Sequence, residues 1–186
     1  MLRIISGTLK GRKLREASFE TTRPTTDRNK EKLFNILGQY FDGGQALDLF
    51  AGSGALGLEA LSRGMDRVWF VESDRETFRV LRSNIESLSL GSSPTTVTLL
   101  QDGITFLKMT QEKFDLVFLD PPYATDLVVT ALEMISKHRI LNDQGVVVAE
   151  NDKQKPPMNA VGDLVAFRDA VEVNTRLTFY QWRDAK

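Results

Sequence analysis

Phe114-Asp115-Leu116-Val117-Phe118-Leu119-Asp120-Pro121-Pro122-Tyr123 runs from an apolar stretch into a carboxylate, two prolines and an aromatic ring. Leu116 to Leu119 are apolar at both parities, which predicts a strand buried on both faces. Pro121 and Pro122 carry no N–H and cannot continue a central ladder, so the strand is expected to end at Asp120. Asp120 and Tyr123 then stand at the carboxyl end of a central strand, where open α/β sheets bind ligands. The residue types suit an exocyclic amine on a nucleobase, whose lone pair is delocalised into the ring. Asp120 and the Pro121 carbonyl supply two acceptors for its hydrogens, held in place by the rigid prolines, and Tyr123 supplies a face for stacking.

The pattern repeats outward in both directions. Downstream, Asp126 to Lys137 reads as a helix with Leu127, Val128, Ala131, Leu132 and Ile135 on one face. Asn142-Asp143-Gln144-Gly145 is expected to turn into a strand from Val146 to Glu150. Leu164–Phe167 and Leu177–Trp182 follow without an intervening helix, which predicts an antiparallel hairpin at the sheet edge. Upstream, Thr96 to Leu100 is a strand that ends in Gln101-Asp102-Gly103. Asp102 either accepts from an adenine amine or caps a helix over 103–109. Before it, a helix runs from about Arg75 to Leu88, with Phe78, Leu81, Ile85 and Leu88 aligned.

Ala46-Leu47-Asp48-Leu49-Phe50 reads as a buried strand running into Ala51-Gly52-Ser53-Gly54-Ala55-Leu56-Gly57 and a helix to about Arg63. Gly52, Gly54 and Gly57 satisfy G-x-G-x-x-G in the strand-to-helix context that the motif requires. A second strand, Arg67 to Val71, ends at Glu72, where an acid can take ribose hydroxyls. A nucleoside-containing cofactor is expected. Asp48 opposes a pyrophosphate, since like charges at ~4 Å and an effective dielectric near 20 cost about 4 kcal/mol. S-adenosylmethionine carries an ammonium and a sulfonium and has no phosphate, so Asp48 argues for it, unless Asp48 only braces the loop. The alternation as a whole predicts an α/β fold: a doubly wound, Rossmann-like, seven-stranded sheet, mostly parallel with an antiparallel C-terminal edge hairpin.

The N-terminal segment differs in charge. Residues 1–32 hold nine basic and four acidic side chains, while the whole chain has a formal net charge of −1. Residues 2–6 and 12–16 are expected to pair as a hairpin, with Arg3, Lys10, Arg12 and Lys13 placed to reach phosphates. Thr26 or Asp27 is expected to cap a helix running to about Tyr40, and Arg23 and Arg28 flank that cap, where they can hold a carboxylate. Residues 1–41 are read as a basic hairpin-and-helix extension contacting a polyanion and the cofactor, and 42–186 as the catalytic domain. The chain has no cysteine and one histidine, His138, which excludes thiolate chemistry and makes a zinc site or a histidine-based triad a poor reading. No apolar run approaches the roughly 18 residues that span a bilayer.

Taken together, the chain resembles the class I methyltransferases and, more narrowly, the bacterial RsmD-like 16S rRNA (guanine-N2)-methyltransferase family. The resemblance rests on Arg3-Ile4-Ile5-Ser6-Gly7, Gly11-Arg12-Lys13-Leu14, Arg23-Pro24-Thr25 and Asp27-Arg28. It rests also on Asp48-Leu49-Phe50-Ala51-Gly52-Ser53-Gly54, Glu59-Ala60-Leu61-Ser62-Arg63-Gly64 and Asp120-Pro121-Pro122-Tyr123. Asn29-Lys30-Glu31-Lys32 departs from it, because a more apolar helix start is usual, and the last strand lacks a Tyr-Gly step. The resemblance implies methyl transfer from S-adenosylmethionine to a guanine amine in small-subunit rRNA, whole or partly assembled. It implies Asp120, Pro121 and Tyr123 at the reacting amine, and Arg23, Thr25, Asp48, Phe50, Gly52, Ser53, Gly54, Glu72, Asp102 and Gly103 around the cofactor. A cytoplasmic monomer without metal or membrane attachment is expected. The alternatives are an exocyclic-amine methyltransferase for DNA or another RNA, a dinucleotide oxidoreductase, and a noncatalytic RNA-binding assembly factor.

Overall fold

Buried strands alternating with one-sided helices build an eight-stranded sheet with helices on both faces. The structure is a computed structural model, and it describes residues 1–16, 27–121, 126–154, 156, 158–171 and 175–185. The strands are β1 (Gln45–Asp48), β2 (Arg67–Glu72), β3 (Thr96–Leu100), β4 (Phe114–Leu119), β5 (Leu141–Asp152), β6 (Ala160–Val161), β7 (Leu164–Val171) and β8 (Thr175–Trp182). The helices are α1 (Asp27–Leu37), α2 (Ala55–Ser62), α3 (Arg75–Ser87), α4 (Gly103–Met109) and α5 (Leu127–His138).

The strand order is β3-β2-β1-β4-β5-β8-β7-β6. The first five strands in that order are mutually parallel, and β8, β7 and β6 are antiparallel to their neighbours. The chain winds outward from β1 to β3, then returns to β4 on the other side of β1. The carboxyl ends of β1 and β4 therefore lie side by side at the switch point, where a crevice opens.

Alternate residues of each strand feed opposite cores. Ala46, Val68, Phe70, Leu116, Phe118 and Val148 pack with α1, α2 and α3. Leu47, Val71, Val117, Leu119, Val147 and Ala149 pack with α4 and α5. Asp48 and Asp120 share the parity of Ala46 and Phe118, so both carboxylates belong to the α1–α3 side of the sheet.

Three elements differ from the sequence reading. The sheet gains an eighth strand, because Val161-Gly162-Asp163-Leu164 forms a turn whose Gly162 has φ +58° and whose Asp163 N–H donates to Ser136 Oγ at 2.9 Å. β5 begins at Leu141, so the expected turn at 142–145 is a bulge inside the strand: the register with β4 jumps between Phe114 and Leu116. Asp115 fills the break, accepting from Asn142 Nδ2 at 2.7 Å and from Gln45 N at 2.8 Å. Helix α1 stops at Leu37, before Gly38 at φ +108°, rather than reaching Tyr40.

The N-terminal hairpin is narrower than expected. One bridge joins Arg3 to Lys13, flanked by Ile4 N to Arg12 O and Leu14 N to Leu2 O, each at 2.9 Å. Its attachment to the body is extensive. Glu59, fully buried on α2, accepts from Ile5 N at 2.8 Å, from Ser6 N at 3.0 Å and from Arg63 Nε at 2.8 Å. Lys30 Nζ of α1 lies 3.6 Å from the same carboxylate and donates to the Arg3 carbonyl. Burial pulls the Lys30 ammonium below its ordinary pKa, with Glu59 and Asp27 pulling the other way. Ser62 continues the seam, donating to Ser6 O at 2.6 Å and accepting from Leu9 N at 2.9 Å. Gly7 sits against this turn with φ +80°, and a Cβ there would lie 1.8 Å from Ser62 O. The blocks Ile4–Gly7 and Glu59–Gly64, far apart in the chain, are thus two halves of one contact.

Removing the carboxylate strands two backbone N–H groups and two cations in the interior. Glu59→Ala is expected to lower the stability by about 3–5 kcal/mol, read from urea unfolding as a lower midpoint at an unchanged m-value.

Candidate active site

The crevice at the carboxyl ends of β1, β2 and β4 is built first by the loop 49–54. Ala51 N bonds to Val71 O at 3.0 Å, which folds the loop over β2. Gly54 is the N-cap of α2 in the left-handed conformation, φ 82° and ψ 16°, and contributes no side-chain cap. Asp48 supplies it instead from within the strand, accepting from Gly57 N at 2.9 Å. This satisfies one of the donors that every helix start leaves open. Gly57 must be glycine for packing: a Cβ there would lie 2.3 Å from Phe70 Cε1.

Glu72 ties the loop to β2. Its Oε2 accepts from Gly52 N at 2.9 Å and its Oε1 from Asp74 N at 2.8 Å. Both oxygens therefore hold backbone at the rim of the crevice. Asp102 caps α4, with its Oδ1 accepting from Thr105 N at 2.7 Å and Thr105 Oγ1 at 2.8 Å. Of the two roles open to it in the sequence, the capping one is seen in the structure. Gly103 brings α4 against the loop, since a Cβ there would meet Leu49 Cγ at 3.1 Å and Phe50 Cε1 at 3.2 Å. The structure thus gathers Asp48, Phe50, Gly52, Ser53, Gly54, Glu72 and Gly103 around one loop, with Asp102 at its edge.

Asp120 follows β4, with Pro121 buried behind it. Leu119 pairs with Ala149, so Asp120, just past the end of β4, and Glu150, within β5, follow at one level. Burial raises the Asp120 carboxyl well above its ordinary pKa, and the charges of Glu150 and Asp48 raise it further. Asp48 itself is pushed up to about 7, by burial first, with the Gly57 N–H opposing and Glu72 adding to the rise. Glu150 was not singled out in the sequence. Its sequence signal is an acid closing the apolar run Val146–Ala149, in the same way that Asp120 closes Leu116–Leu119.

Arg23, Thr25 and Tyr123 lie outside the described residues. Arg3, Lys10, Arg12 and Lys13 are exposed along the hairpin. Arg3 pairs with Asp27 at 2.8 Å, and Arg12 Nη2 donates to Ser87 O of α3 at 2.6 Å, so these two also dock the arm. His138 is an exposed residue at the end of α5.

The crevice therefore presents acids from β1, β2 and β4 where a dinucleotide would place phosphates, and the donor set suits a cation. A model of the family described as conserved hypothetical protein 95 matches residues 2–181. The chain belongs to the RsmD-like rRNA methyltransferase family. A relative from Haemophilus influenzae, named ribosomal RNA small subunit methyltransferase D, is 41% identical over 157 residues, covering 83% of this chain and 81% of its own. A Bacillus subtilis relative is 39% identical over 183 residues, covering 98% of this chain and all of its own. A solved structure from Escherichia coli superposes with a TM-score of 0.83 at 32% identity, covering 97% of each chain.

The raised Asp48 pKa has a consequence for stability. Between 3.8 and about 7 the folded protein holds a proton on Asp48 that the unfolded chain has released, so this group's contribution to stability falls as pH rises through that window. Asp48→Asn removes that dependence. The expected result is a flatter profile of melting temperature against pH over this range than in the wild type.

Proposed function

We propose that the protein transfers a methyl group from S-adenosylmethionine to the exocyclic N2 amine of a guanine in small-subunit ribosomal RNA. The observation that carries this reading is the placement of Asp120 and Pro121 at the switch point, beside the acid-lined glycine loop. When bound, S-adenosylmethionine supplies an electrophilic methyl group and two cationic centres. Asp48, with Gly52, Ser53, Gly54 and Glu72, offers an anionic cradle of that character. Phe50, Asp102 and Gly103 form its far wall, and Arg23 and Thr25 are assigned to the cofactor carboxylate.

Asp120 and the Pro121 carbonyl accept from the two hydrogens of the guanine amine. This draws the nitrogen out of conjugation and turns its lone pair away from the acceptors. Both groups sit on fixed backbone, so little reorganisation accompanies the reaction. Asp120 must be ionised to accept fully. Positive charge entering the cradle lowers its pKa, which couples the occupied site to the reactive state. The amine proton leaves to Asp120 or to water. Tyr123 stacks on the guanine once it is unstacked from its neighbours. Arg3, Lys10, Arg12 and Lys13 take RNA phosphates, which makes binding fall steeply with salt. The relatives named for the small ribosomal subunit support rRNA as the substrate class.

The test uses small subunits from a strain deleted for the gene, incubated with protein and methyl-labelled S-adenosylmethionine and digested to nucleosides. Labelled N2-methylguanosine is expected, and label in N6-methyladenosine alone would overturn the assignment. Asp120→Ala should lower turnover by about 10²–10³-fold with cofactor affinity largely retained. Glu150→Gln removes a charge that raises the Asp120 pKa. The acid limb of the kcat profile should then move to lower pH, and an unmoved limb would exclude Asp120 as the titrating group.

A further inference from the structure

Asn84 lies on α3, buried at 1% exposure, and joins the N-terminal arm to the glycine loop. Its Oδ1 accepts from Arg15 N at 2.8 Å, and its Nδ2 donates to Arg15 O at 3.0 Å and to Ser53 O at 2.9 Å. Both amide hydrogens are thus used. The first two bonds grip the basic arm as a neighbouring strand would. The third holds the glycine loop beside the cofactor cradle.

The same helix meets both parts again. Leu81 Cδ1 packs where a Cβ on Gly54 would lie, at 2.6 Å. Arg12 bonds to the carbonyl of Ser87 at the end of α3. Along the sequence, Arg15 stands between Lys10, Arg12 and Lys13 on one side and Arg23 and Thr25 on the other. A shift of the arm at Arg15 moves the amide that fixes Ser53, and a shift of the loop at Ser53 moves the amide that fixes the arm.

We propose that Asn84 is a positioning residue that couples RNA engagement by the N-terminal arm to cofactor binding by the glycine loop, so that each ligand raises the affinity for the other. The inference rests on the RNA and cofactor assignments of the proposed function. Its physical basis is shared ordering: whichever ligand binds first fixes the Arg15–Asn84–Ser53 geometry, and the second does not have to order it again. The coupling is reciprocal by thermodynamic necessity.

The experiment measures two affinities in the full-length protein. Kd for S-adenosylhomocysteine is measured with and without saturating small subunits from the deletion strain, and Kd for those subunits with and without saturating S-adenosylhomocysteine. In the wild type both ratios should agree at about 5–150-fold. In Asn84→Ala the ratios should fall to about one while each ligand alone still binds, a change that loss of stability alone does not produce. If that variant does not fold, Asn84→Asp replaces it, keeping an acceptor for Arg15 N and setting a charged oxygen, in place of the donor, against the Arg15 and Ser53 carbonyls. A wild-type ratio near one, or an undiminished ratio in the variant, overturns the inference. Wild-type protein that binds neither ligand removes the functional reading itself, and this inference with it.

Discussion

The carboxylate of Glu59 is the constraint on which the rest of the arrangement depends. It sits in the interior with two backbone donors from the arm, the guanidinium of Arg63 and the ammonium of Lys30 around it. An isolated buried charge is very costly, so each of these groups is required by the others. Arg63 is fixed further by the Gln39 carbonyl at 3.0 Å and by the Phe34 ring, 4.5 Å from its guanidinium carbon. In this way one acid on α2 sets the positions of α1, the arm and the turn at Ser62–Gly64. Since α2 also starts from the glycine loop, the arm and the cofactor cradle share one frame.

The crevice uses acids differently at each position. Asp48 acts as the helix cap that glycine lacks, and Glu72 fastens the loop to the neighbouring strand. Asp120 stands at the end of β4 with a raised pKa. Asp48 and Glu72, which make the site hostile to phosphate, also build its backbone. A carboxylate that performs a structural task is held rigidly, and its field on an incoming cation is preorganised for the same reason.

Most of the sheet and the glycine loop could be read from the sequence because their signals are local. Apolar runs of strand length, glycines at fixed spacing and prolines after Asp120 each act on their own neighbourhood. What could not be read depended on partners far along the chain. Asn29-Lys30-Glu31-Lys32 looks like a polar helix start, and nothing local shows that Lys30 is buried against Glu59. Glu150 gains its meaning only from its register with Asp120. Asn84 reads as an ordinary polar position on an amphipathic helix until Arg15 and Ser53 are seen on either side of it. The bulge in β5 likewise rests on Asp115, whose partners Asn142 and Gln45 come from two other strands.

The strand order also bears on how the protein is made. β8 lies between β5 and β7, so the last strand in the chain fills the interior of the sheet rather than its border. Until residues 175–182 dock, the apolar centre of β5, Val146 to Ala149, has no strand beside it on that flank. An open, apolar strand edge is a template for pairing with other chains. That edge closes only with β8, because Val147 to Asp152 take their antiparallel partners from there. A chain whose earlier strands have formed but whose β8 has not docked is therefore the state most exposed to misassociation.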